Sequence, residues 1–210
     1  ILKYISISAY LFFCAISNLT AQQYPFVHYT PKDGLVNSRV RRAYQDSKGR
    51  MYFMTFGGLS MYDGARFKNY TLQNGLLSNL VNDVLEVGED SLLVAVNTCG
   101  LNMLVRGQLK KMAVEKNSCA VINHLLKSND GNVYATADDG LYRIKQNLFE
   151  KLPAFISPKK DPAVYLGTIA EYKDFLIFTT NDLRHYTGLY LYNKKTNAVT
   201  DVLPQLKVFS

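Results

Sequence analysis

The chain has 210 residues, of which 48% are hydrophobic and 20% charged. That is enough apolar material for a sizeable core and too little charge for a disordered chain. A formal net charge of +7 raises the question of nucleic acid, but the Lys and Arg are spread along the sequence, so no nucleic-acid partner is expected.

Residues 1–21 read as a signal peptide. Lys3 supplies a small positive region, Ile5 to Ile16 is apolar apart from Ser6 and Ser8, and Ala21 precedes the expected cut. The apolar run is too short to span a bilayer comfortably. Cys14 follows Leu11-Phe12-Phe13 rather than the small residue that precedes a lipid-anchored cysteine, so export without lipidation is expected. Export places Cys99 and Cys119 where a disulfide can form. Two buried thiols is the favoured reading, because spacing alone does not show that their Cα atoms approach. Two cysteines and three scattered histidines do not make a zinc site, and no cofactor is expected.

Residues 22–210 are organised by a repeat. Gly34-Leu35 recurs as Gly75-Leu76, 41 positions later, and Val40 recurs as Val81 at the same distance. Gly58-Leu59 returns as Gly100-Leu101, Gly140-Leu141 and Gly188-Leu189, with steps of 42, 40 and 48. A period near 40 built of short strands is the pattern of a β-propeller, in which each blade carries four antiparallel strands. The fifteen Tyr and eleven Phe suit such a β protein.

The first blade, about 39–71, takes its strands from Arg39–Tyr44, Met51–Thr55, Leu59–Tyr62 and Phe67–Tyr70, with turns at Asp46-Ser47-Lys48-Gly49 and Asp63-Gly64. Strict alternation would send Arg39 and Arg41 to one face and Arg42 to the other. This group reads as a solvated strand edge, with attraction for acidic glycans as the sharper alternative. Blade two, 80–112, turns at Gly88-Glu89-Asp90 and Arg106-Gly107, and blade three, 120–152, at Asn129-Asp130-Gly131-Asn132. Blade four, 165–203, is the loosest. The glycines before Leu59, Leu101, Leu141 and Leu189 are expected to supply a positive φ or close packing. Phe26–Thr30 resembles the outer strand Phe67–Thr71 and is expected to close the last blade of a ring. Four blades leave that ring incomplete, and a chain that opens on Ile1 and stops after Leu206-Lys207-Val208-Phe209 reads as a fragment.

The motifs resemble the two-component regulator propeller repeat. That family's pattern runs Gly-Leu, a valine strand, Asp-x-x-Gly, a Trp-containing strand, Gly-Leu and Tyr-Asp-Gly. It is matched here by Asp33-Gly34-Leu35, Val40, Asp46 to Gly49, Met51 to Thr55, Gly58-Leu59 and Tyr62-Asp63-Gly64. Tyr52 stands where the pattern has Trp, and Met54 where it has a small residue. The resemblance implies the periplasmic sensor of a membrane histidine kinase responding to an oligosaccharide or similar ligand. Further blades, a membrane segment tethered to the inner membrane and a kinase region of the same polypeptide would follow, and a homodimer is possible. On this view His28, His124 and His185 lie on the exported side and none is a phospho-acceptor.

No nucleophile elbow or metal-binding helix is present, and the carboxylate pairs Asp138-Asp139 and Glu89-Asp90 fall in turns, so catalysis is not expected of this chain. The alternatives are a propeller-fold polysaccharide-active enzyme and a secreted scaffold or adhesion propeller. One insertion departs from the repeat, Asn181 to Thr187, read as a lengthened loop between the second and third strands of blade four. Within it Arg184, His185 and Tyr186 are the ligand-contact candidates, offering a charged fork, a titratable ring and a stacking face for a sugar.

Overall fold

Asp-x-x-Gly turns, Gly-Leu pairs and tight hairpins cut the chain into short apolar runs, and each run forms a strand. The structure, a computed structural model, describes residues 26–112, 121–145, 148–152, 165–181 and 186–202. Blade one comprises β1 (Val40–Gln45), β2 (Met51–Thr55), β3 (Leu59–Tyr62) and β4 (Phe67–Tyr70). Blade two comprises β5 (Val81–Gly88), β6 (Ser91–Val96), β7 (Leu101–Val105) and β8 (Gln108–Lys111). Blade three is β9 (Ile122–Lys127), β10 (Val133–Ala137), β11 (Gly140–Lys145) and β12 (Leu148–Lys151). Blade four is β13 (Tyr165–Tyr172), β14 (Phe175–Asn181), β15 (Tyr186–Asn193) and β16 (Val199–Asp201). Each set forms one antiparallel four-stranded sheet in sequence order, giving an all-β propeller array.

The core lies between the sheets. Tyr52, Met54 and Leu59 of blade one meet Val84, Leu92, Val94 and Leu104 of blade two. The opposite side of β6, through Leu93 and Ala95, packs with Ile122, Leu125 and Tyr142 of blade three. Tyr134 and Leu141 then meet Leu166, Leu176 and Phe178 of blade four. Both faces of the second strand of blade two are therefore buried, which explains its continuous apolar run. Tyr52 fills the place of the pattern's Trp at 2% exposure, and its hydroxyl donates to Asp46 Oδ2 at 3.3 Å. Tyr134 repeats the device, donating to Asp130 Oδ2 at 2.8 Å.

The lead-in to each of the first two blades is a single 3₁₀ turn. Thr30 caps Pro31–Asp33 and Thr71 caps Leu72–Asn74, and both turns end on a left-handed glycine, Gly34 and Gly75. Asparagine side chains tie these turns to the sheets. Asn69 Nδ2 donates to Gly34 O at 2.8 Å, and Asn102 Nδ2 donates to Gly75 O at 3.0 Å.

Phe26–Thr30 pairs with no described strand. Tyr29 lies against Tyr62 and Phe67, with ring centroids 5.1 and 5.4 Å away, and its hydroxyl donates to that of Tyr62 at 3.0 Å. Two expectations change. The insertion in blade four contributes strand residues as well as a connection, because Thr180 pairs with Gly188 and Asn181 with Tyr186. Finally, Cys99 is disulfide-bonded rather than a free thiol. Cys14 and Cys119, the two other cysteines of the chain, lie outside the described residues, as do the signal-peptide stretch and the strand-like 206–209.

Candidate ligand face at the inner-strand rim

The first strand of every blade begins where the second ends, since Val40 pairs with Thr55, Val81 with Val96, Ile122 with Ala137 and Tyr165 with Asn181. One end of the array therefore gathers the lead-in loops with the connections between second and third strands. In blades one to three these connections are 56–58, 97–100 and 138–139.

Alternation fails at this rim because a register shift interrupts the first strand of each blade. In blade one the shift falls between Val40 and Arg42, so neighbouring arginines both reach blade two. Arg41 Nη1 donates to Asn82 Oδ1 at 2.8 Å, and Arg42 Nη1 lies 3.0 Å from Asp83 Oδ1. The same step recurs from blade two to three, with Asn82 Nδ2 donating to Ile122 O at 2.9 Å. Leu125 N–H donates to Asp83 Oδ2 at 2.8 Å, and His124 Nε2 lies 3.4 Å from that oxygen. From blade three to four, Asn123 Nδ2 donates to Leu166 O at 2.9 Å, and Ile169 N–H donates to His124 Nδ1 at 3.2 Å. Burial lowers the His124 pKa, with the Arg42 guanidinium adding to the shift and Asp83 opposing it. The ring therefore stays neutral near pH 7, and its two nitrogens are engaged between blades.

Outward from this polar staircase sits an exposed cationic and aromatic cluster. The guanidinium carbon of Arg39 lies 4.5 Å from the centroid of the Phe56 ring, and that of Arg41 lies 5.6 Å away. Phe56 is 44% exposed. This arrangement suits recognition of a ring or an anion by stacking and charge. Arg41 and Arg42 thus belong to a blade junction, whereas Arg39 keeps the exposure expected of a strand edge. Phe56 and the Asn82 and Asn123 pair were not singled out in the sequence. Their signal is the recurrence Val40-Arg41-Arg42, Val81-Asn82-Asp83, Ile122-Asn123-His124 at a step of 41.

The side chains of Arg184, His185 and Tyr186 lie outside the described residues. The Asn181–Tyr186 pairing itself lies at this same end of blade four. The paired carboxylates act as turn and tether groups. Asp138 accepts from Asn123 at 2.9 Å, and Asp139 accepts from Tyr142 at 2.8 Å and Lys151 at 2.6 Å. Among the described residues no group of three His, Cys, Asp or Glu is placed to hold a metal. No helix among them is long and apolar enough to cross a membrane.

No family model matches the chain, and no curated protein matches it in sequence. Solved structures do. The extracellular domain of the hybrid two component system BT3049 from B. thetaiotaomicron superposes with a TM-score of 0.67 at 18% identity, over 83% of this chain and 26% of that one. The extracellular domain of the one component system BT4673 from the same organism gives 0.51 at 16% identity, over 80% of this chain and 30% of the other. A virginiamycin B lyase from Staphylococcus aureus gives 0.61 at 14% identity, over 80% and 56%. The chain thus spans between a quarter and a third of the length of the two extracellular domains. At these identities the likeness is one of fold, and that fold serves both an enzyme and signalling ectodomains. The propeller implied by the repeat resemblance is the fold of this chain, and it is shared with extracellular domains of two-component and one-component systems.

Proposed function

We propose that this chain is the ligand-sensing propeller region of an exported signal-transduction receptor, and that its ligand is an oligosaccharide bound on the rim where Arg39, Arg41 and Phe56 meet. The observation that carries this reading is the placement of an exposed aromatic ring flanked by two guanidiniums on the rim. We assign Arg184, His185 and Tyr186 as further contacts of the same ligand. The inner strands beneath it are linked blade to blade by side-chain hydrogen bonds. A ligand seated there would therefore act on the relative setting of the blades and, through the continuing polypeptide, on a membrane-tethered histidine kinase. The two arginines favour acidic over neutral saccharides.

Calorimetric titration of the full chain with neutral and uronate-containing oligosaccharides tests this. Binding of the acidic set, weakened about tenfold by Arg39→Ala combined with Phe56→Ala, is expected. Turnover of the saccharide would instead favour the enzyme reading, and equal affinity of the double variant would remove the rim from the site.

A further inference from the structure

At the opposite end of blades one and two lies a second cavity, of about 220 Å³. Its walls include Arg50, Tyr52, Lys68 and Tyr70 of blade one with Asp90 and Arg106 of blade two. Tyr70 is 4% exposed, and its hydroxyl makes no hydrogen bond to any described residue. Its hydroxyl oxygen keeps solvent access and lines a space where a hydrogen-bond acceptor can sit.

The other groups around it are donors as well. Lys68 reaches across the junction to the carbonyl of Gly107 at 3.2 Å, its ammonium 5.3 Å from the Tyr70 ring. Neither Lys68 nor Arg106 has a carboxylate partner among the described residues. Asp90 is the one carboxylate among the residues that line the cavity, and both of its oxygens are engaged. Lys48 holds Oδ2 at 2.6 Å and Arg50 holds Oδ1 at 2.9 Å. The Tyr52 hydroxyl is spent on Asp46. What remains without a carboxylate is a phenol, an ammonium and a guanidinium, so a fitting guest must accept hydrogen bonds and carry negative charge. The volume lies below the roughly 300–1,000 Å³ of sites for drug-sized ligands, which restricts the guest to a small group.

We propose that the cavity between blades one and two binds a small oxyanion group (sulfate, phosphate or carboxylate), free or as a substituent of a larger molecule. The site is independent of the rim assigned above and lies at the other end of the sheets. Because Lys68 belongs to β4 and Arg106 to the β7–β8 turn, the bound anion bridges two blades.

The test is calorimetric titration of the full chain with sodium sulfate, phosphate and acetate, each against sodium chloride at matched ionic strength. Saturable binding of at least one oxyanion is expected. Lys68→Gln and Arg106→Gln, both at exposed positions, should each weaken it about tenfold. Tyr70→Phe should weaken it several-fold while leaving the ring in place. A comparison of inorganic sulfate with a sulfated disaccharide separates the two sources. Tighter binding of the disaccharide assigns the substituent, and equal or weaker binding assigns the free anion. Oxyanion heats no different from chloride, or affinity unchanged in the Lys68→Gln/Arg106→Gln double variant, would overturn the proposal.

Discussion

Single carboxylates organise the turns of this molecule. Asp46 accepts from the backbone N–H groups of Lys48 and Arg50 at 3.0 and 2.9 Å, and from Arg50 Nε at 2.6 Å. Asp130 plays the corresponding part in blade three. Burial pulls the Asp130 carboxyl upward, but hydrogen bonds from Asn132 N–H, the Tyr134 hydroxyl and Ser128 outweigh it and lower its pKa from 3.8 to about 2. Nearby, Glu171 is also lowered, as Lys194, Ser128 and Asn129 overcome the effect of burial. The unfolded chain takes up the Asp130 proton near its ordinary pKa, whereas the folded chain does so only near 2. The stabilisation is therefore complete above about pH 4 and is lost as pH falls through 2. The side chain is about one-third exposed (32%), so screening reduces the contribution to about 1 kcal/mol. Urea unfolding across this range should show a steeper loss of stability for the natural chain than for Asp130→Asn. Parallel curves would mean that Asp130 contributes nothing through its charge.

At the scale of elements, the glycine before the third strand of blade one decides the turn. Gly58 has a φ of +139°, and a Cβ there would lie 2.4 Å from the carbonyl oxygen of Tyr70. Gly64 in the next turn also has a positive φ, +98°, but nothing lies within 4 Å of its missing Cβ. Gly64→Ala should therefore cost only the backbone term, about 1 kcal/mol. Gly58→Ala should cost about 3 kcal/mol or more, because β4 must also shift. Equal urea midpoints for the two variants would show that the contact relaxes freely. Such turn chemistry made most strands legible in the sequence: the third strands of blades one and two, and the second strand of blade one, fall where the Gly-Leu and Asp-x-x-Gly signals put them. The register shift after Val40 was not legible, since alternation carries no mark of an extra residue. Nor was the lengthened β14–β15 hairpin, because Asn181 and Tyr186 read as loop residues until paired. The arginine group was visible, yet its split between a blade junction and the open rim depends on that same shift.

Across the whole molecule the junctions between blades are unequal, and the difference follows from turn length. Loop 46–50 of blade one reaches Glu86 of blade two, through Ser47 N–H at 2.9 Å and its hydroxyl at 2.7 Å. Loop 128–132 of blade three likewise reaches Glu171 of blade four, through the Ser128 hydroxyl and Asn129 N–H, the latter at 2.9 Å. Blade two has only the tight turn at Glu89-Asp90, since Gly88 pairs with Ser91. No such staple joins it to blade three among the described residues, and a cavity of about 550 Å³ opens there beside Val87, Leu93 and Met103. At the opposite end of this junction, Cys99 forms a bridge to Val121 and carries its disulfide. The disulfide-bonded Cys99 thus sits at the junction whose turn is too short to reach its neighbour, and its bond is predicted to limit the separation of the two sheets. Reduction should loosen this junction selectively. Hydrogen exchange in dithiothreitol should show amides of β9 losing about 2 kcal/mol of protection, roughly thirtyfold faster exchange. Those of β2, behind the Ser47–Glu86 staple, should change little. Equal acceleration in both strands would mean that the disulfide stabilises the array as a whole. Unchanged exchange in β9 would mean that the packing of Leu93, Ala95, Ile122 and Leu125 holds the junction without it.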